Sequence, residues 1–160
     1  MNNKVAFFDM DGTISAPVYL DDGKLVIGFD ANGWIRQCNK EKKKTYRLCK
    51  IVQPVIDFAK KLKSEGYTLY ILTVALCESE KDAKWQFIED NNLYDIFDTC
   101  IFASQDDEKL TIMANYAEKN DIPLSDCMLV EDTYLTLLKA HCAGFQAVHI
   151  ANILTDTITG

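Results

Sequence analysis

The chain has 160 residues, of which 48% are hydrophobic, and it carries a formal net charge of −7. This length and composition predict one domain over residues 1–160 with a substantial core, and the negative charge argues against general binding to duplex nucleic acid or membranes. No segment has the ~20 consecutive apolar residues of a membrane span, and the six cysteines lack the spacing of a zinc site or disulfide framework, so we expect a cytoplasmic protein.

The first predicted element is a strand over residues 4–8 that ends in the sequence Asp9-Met10-Asp11-Gly12. A buried strand ending there places two carboxylates at the mouth of a sheet, where one can bind a hard cation and the other can transfer a proton. Gly12 allows the chain to turn sharply. The alternative is an ordinary Asp-Gly turn after an edge strand, and the motif alone does not decide between the two.

Residues 15–50 separate this strand from the next predicted helix and are too many for a simple βα loop. An Asp-Asp-Gly sequence followed by alternating apolar residues predicts a hairpin, and Asn32-Gly33 before Trp34 makes a second one plausible. We therefore predict a small β-rich flap, equivalent to a minimal cap, over the mouth of the sheet.

The end of this insertion is basic, with six Lys and Arg residues between positions 40 and 50. Such a run is more typical of a solvated face than of a surface that recruits an anionic substrate. Trp34 and Tyr19 either stack on a planar ligand or fill the core of the flap.

Beyond the insertion, apolar runs alternate with segments of helical period, which predicts α/β architecture with a doubly wound parallel sheet. The further predicted strands cover residues 67–72, 99–103, 127–130 and 145–150. The predicted helices cover residues 54–65, 79–90, 108–119 and 134–143.

Polar side chains follow the predicted strands where each strand ends. Ligands of doubly wound sheets bind outside the carboxyl ends of the strands, so these side chains are expected to meet at one rim. They are Asp9 and Asp11, Thr73, Lys109 at the start of a helix, and Glu131 with Asp132. The agreement of several strands makes a functional site far more probable than any one motif does.

These motifs resemble those of the haloacid dehalogenase-like superfamily of hydrolases over nearly the whole chain. The family's first motif, Asp-x-Asp-Gly-Thr after apolar residues, matches residues 9–13, and its second, an apolar strand ending in Thr or Ser, matches Thr73. Its third motif, a Lys that opens a helix, resembles Lys109, and its fourth, paired acids after an apolar strand, matches Glu131 and Asp132. The resemblance implies a three-layer, Rossmann-like fold.

The resemblance also implies a phosphoaspartyl mechanism, in which Asp9 is the nucleophile and Asp11 the general acid and base. It implies Mg²⁺ as the cofactor, held by an all-oxygen set. The implied metal ligands are Asp9, the main-chain carbonyl of Asp11, Asp132 and, directly or through water, Glu131. The implied phosphate-binding residues are Thr73, Lys109, Gly12 and Met10.

Within the superfamily, an acid at Asp11 points to phosphate esters, and the short insertion points to a capless or minimally capped phosphatase. The expected partner is a small phosphorylated substrate, either a nucleotide or another small phosphate ester, and homo-oligomerisation is left open. The alternative is a non-catalytic regulatory protein that binds phosphate or Mg²⁺ on the same fold. The presence of both Asp9 and Asp11 gives that alternative no support.

Overall fold

The fold is given by a computed structural model that describes residues 3–159. In chain order the strands are β1 (Lys4–Phe8), β2 (Ser15–Ala16), β3 (Val18–Asp21), β4 (Lys24–Ile27), β5 (Lys50–Ile51), β6 (Tyr67–Val74), β7 (Thr99–Ala103), β8 (Cys127–Glu131) and β9 (Gln146–His149). The helices are α1 (Ala31–Glu41), α2 (Gln53–Ser64), α3 (Glu78–Asp90), α4 (Asp106–Lys119), α5 (Tyr134–Ala143) and α6 (Ile150–Thr159).

The central sheet has five strands in the order β7-β6-β1-β8-β9, and its strands pair in parallel. Helices lie on both of its faces, so the predicted three-layer α/β fold with a doubly wound parallel sheet is confirmed. Strand β1 occupies the centre, and its neighbours are β6 and β8. The order reverses at β1, which is the position where ligands bind in such sheets.

The alternation of side chains along β1 explains the two cores of the molecule. Ala6 and Phe8 point to one face and pack in the cluster that contains residues of α2, α3 and α6. Val5 and Phe7 point to the other face, toward residues of α4 and α5. Because successive side chains of a strand point to opposite faces, a continuous apolar run is needed at the centre of a two-sided sheet.

The segment between β1 and α2 forms a lobe at the carboxyl end of the sheet. Its base is closed by β2 and β5, which pair antiparallel, and its outer part is the β3–β4 hairpin. The turn of that hairpin, Asp22-Gly23, has φ values of 49° and 78°. Positive φ at both central residues matches the twist of a two-residue hairpin, which is why the Asp-Gly sequence predicted this hairpin correctly.

The prediction of a second hairpin in the flap was wrong, because the chain forms α1 there, followed by a 3₁₀ segment (Lys42–Leu48). Asp30 caps this helix, and its carboxylate accepts a hydrogen bond of 2.8 Å from the amide of Gly33. Asn32-Gly33 therefore lies in the first turn of a helix instead of in a β-turn. The lobe is more helical than the sequence analysis predicted.

Helix α6 was not predicted at all. Its sequence contains many β-branched residues, which have modest helix propensity. Ile153 is buried in the core on the α2 side of the sheet, so tertiary packing supports a helix that local propensity does not indicate. None of the helices within residues 3–159 is long and apolar enough to cross a membrane.

Candidate active site

A cleft of about 410 Å³ lies at the carboxyl ends of β1, β6 and β8. The walls of the cleft carry the six polar residues that the sequence analysis placed at one rim. They are Asp9, Asp11, Thr73, Lys109, Glu131 and Asp132. The structure thus brings together side chains that are up to 123 positions apart in the chain, between Asp9 and Asp132.

The turn after β1 places Asp9 and Asp11 at this rim. The amide of Asp9 donates to the carbonyl of Val130 at 2.9 Å, and the amide of Ser15 donates to the carbonyl of Met10 at 2.9 Å. Gly12 has φ +78°, and a Cβ built there would collide with the carboxylate of Asp132. The glycine is therefore needed both for the backbone conformation and for the close approach of Asp132.

The main chain of this turn forms hydrogen bonds within the turn itself. The amide of Gly12 donates a 2.8 Å hydrogen bond to the carbonyl of Ser15, so this amide is engaged within the turn. Met10 is fully buried and does not line the cleft, so its role in binding a phosphoryl group stays a prediction. The contribution of Gly12 visible here is the space that it leaves for Asp132.

Three carboxylates form a cluster that could hold a metal ion. Oxygen atoms of Asp9, Glu131 and Asp132 lie within 4.8 Å of one another. Burial raises the pKa of Asp9 well above its usual range, and the nearby charge of Glu131 adds to this effect. Burial also raises the pKa values of Glu131 and Asp132. Crowded, desolvated carboxylates of this kind are stabilised when a cation joins them.

Lys109 supplies the positive charge beside this cluster. Its Nζ lies 3.0 Å from Asp9 Oδ1 and 2.8 Å from Glu131 Oε2, and it is also 3.4 Å from Asp106 Oδ1. Burial disfavours the ammonium, but the carboxylates of Asp9 and Glu131 outweigh this effect and raise the pKa of Lys109. The lysine is therefore a fixed cation at the bottom of the cleft, as its position at the start of a helix suggested.

Asp11 is held by two buried side chains that the sequence analysis did not identify. The hydroxyl of Tyr46 donates a 2.6 Å hydrogen bond to Asp11 Oδ1. Lys84 Nζ lies 3.0 Å from Asp11 Oδ2. Tyr46 comes from the lobe and Lys84 from α3, so the orientation of Asp11 depends on both.

Lys84 is completely buried and is surrounded by oxygen atoms. It donates 2.6 Å hydrogen bonds to Thr73 Oγ1 and to the carbonyl of Val74, and it lies 3.5 Å from Glu80 Oε1. The carboxylates of Asp11 and Glu80 outweigh the effect of burial and raise the pKa of Lys84. Because Thr73 accepts from Lys84, its own hydroxyl hydrogen is free to be donated into the cleft.

Glu80 connects this network to the lobe. Its Oε1 accepts a 2.9 Å hydrogen bond from Trp34 Nε1, and its Oε2 accepts one of 2.6 Å from the amide of Leu76. The spacing of Glu80 and Lys84 relative to Ala83 and Phe87 is the sequence pattern that could have identified both charged residues as buried. These four residues form one buried stripe of α3 at helical spacing, so two charged residues occupy a face that should be apolar.

Tyr19, Trp34 and the basic run of the lobe do not line the cleft. Tyr19 and Trp34 are each 1% exposed and pack edge to face, so they fill the core of the lobe. Lys43, Lys44 and Lys50 line a different groove, which shares no lining residue with the cleft. This arrangement agrees with the interpretation of the basic run as a solvated face.

The chain matches a known protein family. A family described as haloacid dehalogenase-like hydrolase matches residues 18–150, a range that begins after Asp9 and Asp11. No curated protein sequence matches the chain significantly.

Solved structures show the same fold. A haloacid dehalogenase-like family hydrolase from Streptococcus pneumoniae is 17% identical with a TM-score of 0.54, covering 96% of this chain and 90% of its own. A predicted phosphoglycolate phosphatase from Haemophilus somnus is 12% identical with a TM-score of 0.58, covering 93% and 85%. A haloacid dehalogenase family enzyme from Bacteroides thetaiotaomicron, in complex with magnesium and inorganic phosphate, is 14% identical with a TM-score of 0.53, covering 92% and 93%.

Proposed function

Because the chain belongs to the haloacid dehalogenase-like hydrolases, we propose that it is a Mg²⁺-dependent phosphomonoester hydrolase that forms an aspartyl-phosphate on Asp9. The observation that carries the proposal is the convergence of Asp9, Asp11, Thr73 and Lys109 on the cleft beside the carboxylate cluster. A predicted phosphatase among the structural neighbours, and a neighbour that contains magnesium and phosphate, support the same chemistry.

The residues present fit Mg²⁺, because the cluster offers only oxygen ligands and concentrates negative charge. Asp9, Glu131 and Asp132 would hold the ion through their carboxylates, and Asp11 through its main-chain carbonyl. When bound, Mg²⁺ would supply positive charge that offsets the repulsion between these carboxylates and a phosphate dianion.

In the first step, a carboxylate oxygen of Asp9 attacks phosphorus while the bond between phosphorus and the ester oxygen breaks. Asp11 donates a proton to that oxygen, so the alcohol leaves neutral. The ammonium of Lys109 and the hydroxyl of Thr73 stabilise the charge on the remaining phosphoryl oxygens.

In the second step, Asp11 accepts a proton from a water molecule that attacks the acylphosphate. The bond between phosphorus and Asp9 breaks, inorganic phosphate leaves, and the carboxylate of Asp9 is restored. Lys84 and Tyr46 act by positioning Asp11 for both proton transfers, since each contacts a different oxygen of its carboxylate.

The test is release of inorganic phosphate from an aryl phosphate, with Mg²⁺ or with a chelator, by the wild type and by Asp9→Asn. We expect Mg²⁺-dependent release that the variant loses, because an amide is a poor nucleophile. Asp82→Asn is the matched control, because it makes the same change at an exposed site outside the cleft. Equal release by wild type and Asp9→Asn would contradict the proposal. Absence of release, with phosphate and Mg²⁺ still bound, would favour the non-catalytic alternative.

A further inference from the structure

The residues that line the cleft indicate which kind of leaving group the substrate carries. Resting on the proposed function, we infer that the preferred substrates are phosphomonoesters of uncharged alcohols or phenols with an apolar body. The inference selects one class among the small phosphate esters, and it disfavours esters whose leaving group bears a second anionic group.

One wall of the cleft is apolar and belongs to the lobe and to the loop after β6. Phe29 and Pro17 come from the lobe, and Val74 and Leu76 come from the end of β6 and the residues after it. Phe29 is 55% exposed and Leu76 is 43% exposed, so large apolar surfaces face solvent beside the polar end of the cleft. Burial of this surface by a leaving group would be favourable.

This wall has a fixed position relative to the core of the lobe. The ring of Phe29 lies 6.2 Å from that of Trp34, which is buried. The amide of the adjacent Gly28 donates a 2.9 Å hydrogen bond to the carbonyl of Pro17. The amide of Leu76 donates a hydrogen bond to Glu80, which fixes the part of the wall that follows β6. The apolar wall therefore belongs to the packed structure and can act as a pocket for a leaving group.

The charges around the cleft disfavour a second anionic group. Among the described residues that line the cleft, Lys109 carries the only positive charge, and it is already paired with Asp9 and Glu131. The neighbouring Asp106 is about half exposed and adds negative charge at the rim. A carboxylate or a second phosphate on the leaving group would lose its hydration there without gaining a partner.

The basic residues of the lobe cannot supply that partner in this structure. Lys43, Lys44, Arg47 and Lys50 line the other groove, which does not share walls with the cleft. A nucleotide with several phosphates, or a phosphorylated acid, would therefore place its extra charge against acidic or apolar surface. The geometry points to a neutral leaving group instead.

The experiment compares kcat/KM for phenyl phosphate, 4-carboxyphenyl phosphate and ethyl phosphate in the presence of Mg²⁺. We expect the wild type to prefer phenyl over 4-carboxyphenyl phosphate by about tenfold or more, although the carboxylated phenol is chemically the slightly better leaving group. Phe29→Ala should lower kcat/KM for phenyl phosphate by about fivefold to tenfold and change that for ethyl phosphate by less than about twofold.

Two further variants sharpen the test. Ile27→Ala is the matched control, because Ile27 is 79% exposed on the same lobe and does not line the cleft. It should leave the three values unchanged. Leu76→Lys adds a cation to the wall and should raise kcat/KM for 4-carboxyphenyl relative to phenyl phosphate by about tenfold.

The outcomes separate this inference from the proposed function. Hydrolysis of all three esters by the wild type, with the carboxylated ester equal or better, would overturn the leaving-group preference and leave the phosphatase intact. An equal loss on all three esters in Phe29→Ala would overturn it as well. If the wild type hydrolyses none of the esters, the proposed function fails, and this inference fails with it.

Discussion

At the scale of single residues, Lys84 shows how a buried charge is accommodated next to the candidate catalytic acid. Taking an ammonium out of water is costly, and here the cost is offset by Asp11, Glu80, the hydroxyl of Thr73 and the carbonyl of Val74. The same contacts fix the two residues, Asp11 and Thr73, that would meet the substrate. Stability and the geometry of the site therefore depend on one side chain.

Replacement of this lysine should be strongly destabilising. Lys84→Met preserves the aliphatic stem but leaves the carboxylates of Asp11 and Glu80 without their common cation. We expect the free energy of unfolding to fall by about 3–5 kcal/mol, as measured by urea denaturation. Lys81→Met is the matched control, because Lys81 forms an exposed pair with Glu78, and it should cost less than about 1 kcal/mol. Equal losses in the two variants would contradict the role given to the buried network.

Gly12 permits a prediction with an unusually close control. Gly12→Ala adds a Cβ where the carboxylate of Asp132 lies, at a residue with φ +78°. Gly23 also has φ +78° but has no atom within 4 Å of its virtual Cβ. Both changes should cost about 1–2 kcal/mol of backbone strain, measured by denaturation. Only Gly12→Ala should also weaken Mg²⁺ binding, by about tenfold in calorimetry, and equal affinity in both variants would contradict the clash.

At the scale of elements, the lobe is positioned by contacts that cross from its helical part to the sheet. Trp34 of α1 donates to Glu80 of α3, and Tyr46 of the 3₁₀ segment donates to Asp11 at the end of β1. The rings of four residues form a continuous series of contacts with centroids 5.1–5.3 Å apart, two edge to face and one tilted. They are Tyr19, Trp34, Tyr46 and Phe87. The start of α1 therefore influences Asp11, which lies 20 positions earlier in the chain.

The cap of α1 can be tested directly. Asp30→Ala removes the carboxylate that accepts from the amide of Gly33. We expect a loss of about 1 kcal/mol in the free energy of unfolding. Asn32→Ala, on an exposed position of the same helix, should cause no loss, because Ala has the higher helix propensity. If the two variants have the same stability, the capping assignment is wrong.

At the scale of the whole molecule, the acidic cluster concentrates negative charge that a bound cation would offset. Asp9 and Glu131 belong to adjacent central strands, or directly follow them, so the charge that they concentrate lies at the middle of the sheet. Lys109 offsets part of this charge. A divalent ion bound only by the folded state would offset more of it and shift the folding equilibrium.

We therefore expect Mg²⁺ to stabilise the folded protein and a chelator to reverse the effect. At a free concentration 100 times Kd the gain should be about 2.7 kcal/mol, measured by thermal or urea denaturation at constant ionic strength. Asp132→Asn should lose most of the gain, whereas Asp82→Asn should retain it. A wild type whose stability does not respond to Mg²⁺ would contradict the assignment of the cluster as a metal site.

How much the sequence determined can be seen from particular elements. The apolar run of β1 and its abrupt end at Asp9 predicted both the central strand and the rim. Burial on two faces and a polar strand end can both be recognised from a few consecutive residues. Strands β6, β7 and β8 and helix α5 followed from the same periodicity. Helix α1 could not be predicted in this way, because Asn32-Gly33 is compatible with a β-turn until Asp30 is known to cap a helix.

The sequence by itself therefore determined the sheet, helices α2 to α5 and the six polar residues that the strand ends and the start of α4 bring to one rim. Only the tertiary structure decided what surrounds Asp11. Tyr46 and Lys84 are 35 and 73 positions from it in the chain, and no local pattern encodes their approach. Only the tertiary structure shows that the groove lined by Lys43, Lys44 and Lys50 is separate from the cleft. It also shows that Tyr19 and Trp34 lie in the core of the lobe. The physical reason is that strand periodicity follows from neighbouring residues, whereas pairing of buried charges depends on how distant elements pack.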